Sequence, residues 1–241
     1  MPSHPSGRHA VCCLCGRPIE RHPRADGDTL SMDHVPPKQF FPKVVRTGGG
    51  INLWVVPTHK ACNERYREDE EYFYHAFCPL VQQGNPHMGK TILRDLSRRR
   101  RKPQTPAMVR RIVKTARRVT EGGIHLPPGV VELAIDRRRI ERVVIKIAQG
   151  LSCLDRHLFL PPRACKDIRL CTDEGAVPEM YALSWQVGPT RAVCEKVFSY
   201  RHFKLDDFHL WSMLFWEGFM FCTAFAANEV QDDRPAVLSD H

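Results

Sequence analysis

The chain has 241 residues, of which 42% are hydrophobic and 26% are charged, and its formal net charge is +9. This length and composition allow one large domain or two modest ones with a buried core, and they exclude wholesale disorder. The positive charge points to a polyanionic partner. Residues 91–118 hold most of that charge, with 11 Lys or Arg residues against one Asp, which is typical of a segment that contacts a phosphate backbone or of a solvated basic linker.

The cysteines and the apolar segments predict a soluble cytoplasmic protein. The first residues lack the apolar region of a secretory signal, so the ten cysteines are expected to be reduced. Paired cysteines then indicate metal sites, and scattered ones indicate small core residues. The most apolar stretch, residues 208–227, contains His209, Ser212 and Glu217. Because polar and charged groups are costly inside a bilayer, this stretch does not predict a membrane span.

Residues 10–78 predict a small N-terminal domain, preceded by a flexible N-terminus over residues 1–9. Residues 29–32 and 53–56 are short apolar segments, typical of two paired strands. Residues 59–76 contain neither Pro nor Gly and predict a helix that Thr58 caps. Strand, loop, strand and helix, with metal ligands at both ends, predict a ββα-metal unit.

A basic connector is predicted over residues 79–106, because prolines and glycines recur there and the basic run Arg98–Lys102 lies within it. Apolar residues at helical spacing from Val109 to Val119 predict a helix that Gly122-Gly123 ends. A second helix is predicted from Asp136, with its apolar stripe at Ile140, Val143, Val144, Ile147, Ala148 and Leu151.

The remaining sequence predicts strands over residues 181–187, 192–200, 210–216 and 219–225, the last two joined by the two-residue turn Glu217-Gly218. A helix over residues 208–227 is the alternative. The predicted fold class is therefore α+β, with the zinc-stabilised ββα-metal domain, the connector, and a larger mixed α+β domain over residues 107–241. No motif assigns a role to this last domain.

Two short pairs have the spacing of zinc ligands. Cys12-x-x-Cys15 is typical of a turn on which two thiolates share one tetrahedral ion. His59-x-x-Cys62 supplies a second pair, so the sequence predicts a structural zinc with a Cys₃His ligand set. Cys78 is an alternative ligand. In a competing interpretation, His59 is a polar residue at the start of the helix and binds no metal.

Three short segments carry a family resemblance. Asp33-His34-Val35-Pro36-Pro37, Asn52-Leu53 and Cys62-Asn63 resemble the HNH endonuclease family in its zinc-stabilised form, over residues 10–78. The resemblance implies hydrolysis of phosphodiester bonds with His34 as the general base, since a neutral imidazole near pH 7 can accept a proton from water.

The resemblance also implies a catalytic metal. Asp33 and Asn63 are implied as oxygen ligands of Mg²⁺ or another divalent ion on the scissile phosphate. Asn52 is implied as the residue that holds the loop and orients the base. The acidic run Glu68–Glu71 on the same helix is predicted to be a solvated face, with a supplementary metal ligand as the alternative.

The predicted function is that of a metal-dependent endonuclease acting on nucleic acid, with DNA favoured over RNA. The predicted phosphate contacts are basic residues of the loop and the connector: Lys38, Lys43, Arg98, Arg99, Arg100, Arg101 and Lys102. The first alternative is a zinc-stabilised nucleic-acid-binding module that does not cut. A further alternative places the main function in the C-terminal domain, as a sensor or partner-binding unit. No membrane partner is predicted, and a homodimer is left open.

Overall fold

The helices and strands are taken from a computed structural model, which describes residues 10–20, 26–48, 51–81, 85–99, 105–118, 120–121, 124–125, 131–171, 178–179, 181–182, 186, 189–194 and 196–232. The helices are α1 (Lys43–Gly48), α2 (Lys60–Glu64), α3 (Arg67–Phe77), α4 (Pro86–Arg99), α5 (Thr105–Val113) and α6 (Arg137–Arg156). The strands are β1 (Leu30–His34), β2 (Val55–His59), β3 (Arg117–Arg118), β4 (Thr120–Glu121), β5 (Ile124–His125), β6 (Val131–Glu132), β7 (Leu158–Phe159), β8 (Cys165–Cys171), β9 (Arg191–Cys194), β10 (Phe198–Leu205), β11 (Phe208–Phe215), β12 (Phe219–Ala226) and β13 (Gln231–Asp232).

The fold is mixed α+β, which confirms the predicted class. Strands β8 to β12 form one antiparallel sheet in the order β8-β12-β11-β10-β9, and β1 pairs with β2 in a separate antiparallel sheet. Three short pairs, β3–β6, β4–β5 and β7–β13, lie outside these two sheets.

The β1–β2 pair and the helices after it hold the predicted site residues. The register places Leu30 opposite His59 and His34 opposite Val55, so the strands run further along the chain than predicted. The helix predicted over residues 59–76 is divided into α2 and α3. Thr58 does not cap it: its hydroxyl donates to the Ser31 carbonyl at 3.1 Å, across the strand pair.

One main hydrophobic core joins residues from both predicted domains. Phe40 and Phe73 stack with their ring centroids 4.9 Å apart. Phe73 also lies 5.5 Å from Phe215 and 5.4 Å from Phe221. The Trp216 indole N–H donates to the Phe40 carbonyl at 3.2 Å. The five-stranded sheet therefore packs directly on the N-terminal segment.

Helix α6 confirms the helix predicted from Asp136. The Asp136 side chain accepts the backbone N–H of Arg139 at 3.4 Å, as an N-cap does. The whole predicted apolar stripe is buried, and so is Lys146 in the middle of the helix. The helix ends at His157, which adopts a left-handed conformation with φ 55°.

The segment predicted as a basic connector contains helix α4, so that prediction is wrong there. Proline is tolerated at the first helical position, where Pro86 lies, because its missing N–H has no partner to lose. Met88, Ile92 and Leu96 recur every four residues and are all buried. The surrounding Gly, Pro and Arg residues make this apolar stripe hard to recognise in the sequence.

Two predicted helix and strand segments differ from the structure for identifiable reasons. The helix predicted to reach Val119 ends at Val113, and the side chains of Val113 and Ala116 are exposed; Val119 lies outside the described residues. Tyr181, Ala182 and Gln186 are helical rather than part of a strand. The backbone N–H groups of Tyr181 and Ala182 both donate to the Pro178 carbonyl, which forms a turn of helix.

The remaining strand predictions hold with changed bounds. A turn at residues 196–197 divides the predicted strand over residues 192–200 into β9 and β10. Phe215 pairs with Phe219, so the turn between β11 and β12 has three residues, Trp216–Gly218, rather than two. Among the described residues, no helix has the length and apolar composition needed to cross a membrane.

A disulfide joins Cys13 to Cys153, at a sequence separation of 140 residues. The expectation that all cysteines are reduced is therefore wrong for this pair. The backbone N–H of Cys13 donates to the Pro57 carbonyl at 3.0 Å, which holds the first loop against β2. The disulfide extends this attachment to α6.

Candidate metal centre and ion cluster

Cys12, Cys15, His59 and Cys62 lie together in what we call the Cys/His cluster. One sulfur or ring-nitrogen atom from each residue lies within 4.8 Å of the other three. A tetrahedral zinc with Zn–S bonds of about 2.3 Å needs ligand atoms about 3.8 Å apart, so a small contraction fits one ion. The cluster could therefore hold a metal ion such as zinc, with the predicted ligand set.

Backbone hydrogen bonds shape the turn between Cys12 and Cys15. The Cys12 carbonyl accepts the N–H groups of Cys15 at 3.3 Å and Gly16 at 2.8 Å. Gly16 has φ +70°, and a Cβ atom added there would lie 2.9 Å from the ring of Phe159. Conformation and space both require glycine at this position.

His59 precedes α2 and also lies where it could serve as a metal ligand. Its Nδ1 atom lies 3.3 Å from the Cys15 sulfur, and its Nε2 atom lies 3.2 Å from the Pro18 carbonyl oxygen. A ring that donates its Nε2–H to this carbonyl keeps the Nδ1 lone pair free for a metal, which is the usual support of a histidine ligand. Cys78 is not part of the cluster.

The thiols of the Cys/His cluster influence one another's ionisation. Burial raises the pKa of Cys12. Burial, together with the charges of Cys12 and Cys15, raises the pKa of Cys62 to about 12. Burial also disfavours the Cys15 thiolate, but hydrogen bonds from Arg17 outweigh it and lower the pKa of Cys15 to about 7. Three thiolates this close repel one another, and a bound cation removes that repulsion.

A second group of polar residues, which we call the ion cluster, consists of the buried Asp33 and Lys146 and the half-buried Asn63 and Glu70. The Lys146 ammonium lies 3.0 and 2.8 Å from the two Asp33 carboxylate oxygens and 3.3 Å from the Asn63 amide oxygen. It also forms a close ion pair with Glu70. Strand β1, helices α2 and α3, and helix α6 each contribute one of the four residues.

The charges in the ion cluster are desolvated. The Lys146 side chain is 2% exposed and that of Asp33 is 7% exposed. Burial raises the pKa of Asp33 and of Glu70, against the attraction of Lys146. Burial disfavours the Lys146 ammonium as well, but the attraction of the two carboxylates is larger, and the pKa of Lys146 is raised.

The predicted magnesium ligands Asp33 and Asn63 do lie together, but they meet at an ammonium group. Magnesium binds oxygen at about 2.0–2.1 Å, and a divalent ion on these oxygens would lie next to the positive charge of Lys146. As arranged, the ion cluster therefore does not fit a second cation.

His34 follows Asp33 at the end of β1 and is half-buried. Burial lowers the pKa of His34, and the positive charges of Lys38, Arg46 and Lys146 add to that effect against the opposing charge of Asp33. The structure therefore favours the neutral imidazole that a general base requires.

Asn52 is not brought to either cluster by a hydrogen bond. Its side chain is exposed, and it makes no hydrogen bond within the described ranges. Its role in orienting His34 stays a prediction.

The acidic run is not a solvated face, because only Glu68 is exposed. Asp69 pairs with Arg139 at 2.6 Å and with Arg142 at 2.8 Å, and both arginines belong to α6. The hydroxyl of Thr105 donates to Glu71 at 2.9 Å. The run forms a polar contact between helices instead.

The predicted phosphate contacts differ in their surroundings. Lys38, Lys43 and Arg98 are exposed. Arg99 is held by the protein: its guanidinium donates to the Asp95 carboxylate at 2.8 Å and to the Gln39 carbonyl at 2.7 Å. Arg99 therefore has a structural role, and its contact with phosphate stays a prediction. Arg100, Arg101 and Lys102 lie outside the described residues.

Lys146 is the site residue that the sequence did not reveal, and Glu70 was named only as part of the acidic run. A single lysine between Ile145 and Ile147, inside an otherwise apolar stripe, was the available signal for Lys146. Arg139 and Arg142 lie seven and four residues before Lys146, so the three cations share one face of the helix, and this face meets the acidic run.

Compared with protein-family models, curated proteins and solved structures, the chain matches none.

Proposed function

We propose that the chain is an endonuclease that hydrolyses phosphodiester bonds in nucleic acid, with DNA as the first substrate to test. The observation that carries the proposal is the meeting of Asp33 from β1 and Asn63 from α2 at the Lys146 ammonium, with His34 directly after Asp33. This is the order of residues on which the resemblance to HNH endonucleases depends, and the strand pair and helices provide a ββα frame for it.

In the proposed reaction, water attacks phosphorus while His34 accepts a proton from that water, the bond from phosphorus to the leaving oxygen breaks, and the leaving oxygen takes up a proton from solvent. The lowered pKa of His34 supports this role, because the ring is then neutral near pH 7. Lys38 is exposed and close enough to influence His34 electrostatically, so it is the first candidate to contact the phosphate. No step is routed through a divalent metal, since the ion cluster as arranged does not fit one.

The role proposed for the Cys/His cluster is to fix the loop of Cys12 and Cys15 to the start of α2. Asn63 directly follows the zinc-ligand candidate Cys62 on that helix. A bound zinc would thus position one residue of the ion cluster through the backbone.

A second candidate function is nucleic-acid binding without cleavage. The specific observation in its favour is the Lys146 ammonium in the place where the resemblance implies a catalytic metal.

The test is cleavage of supercoiled plasmid DNA and of RNA by the purified full-length chain, with and without added Mg²⁺. His34→Ala should reduce the cleavage rate by about 10²- to 10⁴-fold, the usual contribution of a general base. His87→Ala, at an exposed histidine of α4, is the matched control and should cleave at the wild-type rate.

Equal cleavage by wild type and His34→Ala would refute the assignment of the base. Binding of either nucleic acid without cleavage in any buffer would favour the second candidate.

A further inference from the structure

The ion cluster has the donor set of a divalent-cation site, but a side chain of the protein occupies its centre. Two carboxylates and one amide oxygen surround the Lys146 ammonium, at 2.8–3.3 Å for Asp33 and Asn63. Glu70 completes the ring as a close ion pair. Oxygen atoms of this kind are the ligands that hard divalent cations prefer.

The ammonium is enclosed rather than resting at a surface. The side chains of Lys146, Asp33 and Glu70 are 2%, 7% and 13% exposed. The ammonium also lies 5.4 Å from the centre of the Tyr66 ring, which adds a cation–π contact. A metal ion could bind these oxygens only if Lys146 left, and its departure would give up all of these contacts.

Helix α6 is fixed in place on both sides of Lys146. One turn later, a Cβ atom on Gly150 would lie 2.4 Å from a methyl group of Val35, so the helix is in close contact with the chain that follows β1. About one turn and two turns earlier, Arg142 and Arg139 pair with Asp69 of α3. The Cys13–Cys153 disulfide attaches the end of the helix. Lys146 therefore lies on a fixed helix and not on a mobile loop.

We infer that the Lys146 ammonium is a built-in cation that takes the place of the divalent metal, so that the site binds no Mg²⁺ or Mn²⁺ and functions without one. Activity without a divalent metal rests on the proposed function, whereas the lack of Mg²⁺ or Mn²⁺ binding does not. Because Lys146 is buried, it is a positioning residue: it holds Asp33 and Asn63 together, and through them the end of β1 from which His34 projects.

The test is a titration of the zinc-loaded, full-length chain with Mn²⁺, followed by electron paramagnetic resonance, with thermal unfolding as a second measurement. Wild type should bind no Mn²⁺ that depends on Asp33. Lys146→Ala leaves two buried carboxylates without their cation and should bind one Mn²⁺ per chain, at least about tenfold more tightly than wild type. Its Tm should rise by about 5–10 °C when Mn²⁺ reaches about 100 times its Kd.

Arg138→Ala is the matched control, because it removes an exposed cation from the same helix and should gain no Mn²⁺ site. Lys146→Ala combined with Asp33→Asn should lose the new site, which locates it. If Lys146→Ala does not fold, Lys146→Gln replaces it in the test. This variant keeps a hydrogen-bond donor towards Asp33 and should also gain the Mn²⁺ site.

An Asp33-dependent Mn²⁺ site in wild type would overturn the inference, and so would lysine variants that bind no more Mn²⁺ than Arg138→Ala. Cleavage by wild type that strictly requires Mg²⁺ would overturn it as well. If no variant cleaves in any buffer, the proposed function fails, whereas the Mn²⁺ titration still decides whether Lys146 replaces a metal.

Discussion

The Cys/His cluster and the ion cluster are adjacent, since Cys62 belongs to one and Asn63 to the other, but their charges are balanced in different ways. Three thiols and an imidazole converge in the first, and Arg17 donates to the Cys15 sulfur from the exposed side. Two carboxylates and an amide converge in the second, and Lys146 lies at their centre. The first cluster could therefore hold a metal from outside, whereas the second has a cation of the protein at its centre.

The two clusters also differ in how far apart their residues lie along the chain. The Cys/His cluster is complete within the first 62 residues, but Lys146 is 113 residues from its partner Asp33. The N-terminal segment can thus assemble a zinc site from local elements, while the ion cluster exists only once α6 has packed on α3 and β1.

The largest expected effect comes from removing a ligand of the first cluster. Cys62→Ser should lose the bound zinc and, with it, metal-linked folding free energy on the order of 10 kcal/mol, comparable with the whole stability of a typical domain. The N-terminal segment should then unfold. Zinc content by mass spectrometry and thermal unfolding measure the two effects.

Cys194→Ser is the control for Cys62→Ser, since Cys194 is a free, half-buried cysteine outside the cluster. Full zinc occupancy in Cys62→Ser would show that the first cluster does not hold the metal, and the comparison between the two clusters would fail.

A smaller effect is expected from loosening the second cluster through its helix. In Gly150→Ala, the added methyl group would lie 2.4 Å from Val35, and such overpacking costs about 1–3 kcal/mol of the free energy of unfolding. Urea unfolding measures this loss. Zinc content should not change, because the Cys/His cluster contains no residue of α6.

Gly48→Ala is the matched control, because nothing lies within 4 Å of a Cβ atom at that glycine. An unchanged free energy of unfolding in Gly150→Ala would mean that α6 can shift without cost, and Lys146 would then not be fixed in the ion cluster.

The comparison also shows what the sequence could predict. The Cys/His cluster was predictable because its ligand pairs have a characteristic short spacing, and helix α6 was predictable from a long apolar stripe and its N-cap Asp136. Helix α4 was missed because three buried residues four apart were hidden among Pro, Gly and Arg residues. Lys146 was missed because ion pairs between distant segments leave no periodic signal, and the identity of a partner depends on how helices pack.

The smallest expected effect concerns Lys38 and Lys43, which are exposed, whereas Lys146 is buried between its carboxylate partners. Replacing Lys38 and Lys43 by Gln should leave the free energy of unfolding within about 0.5 kcal/mol of wild type, as is usual for surface positions. If both contact phosphate, the slope of log K against log salt concentration for DNA binding should fall by about 0.9 for each lysine. Lys196→Gln with Lys204→Gln makes the same change in net charge on the C-terminal sheet and its turn, and it should leave the slope unchanged. Equal slopes for the two double variants would show that DNA does not approach the protein on the Lys38 side, and the ion cluster would then lie away from the bound backbone.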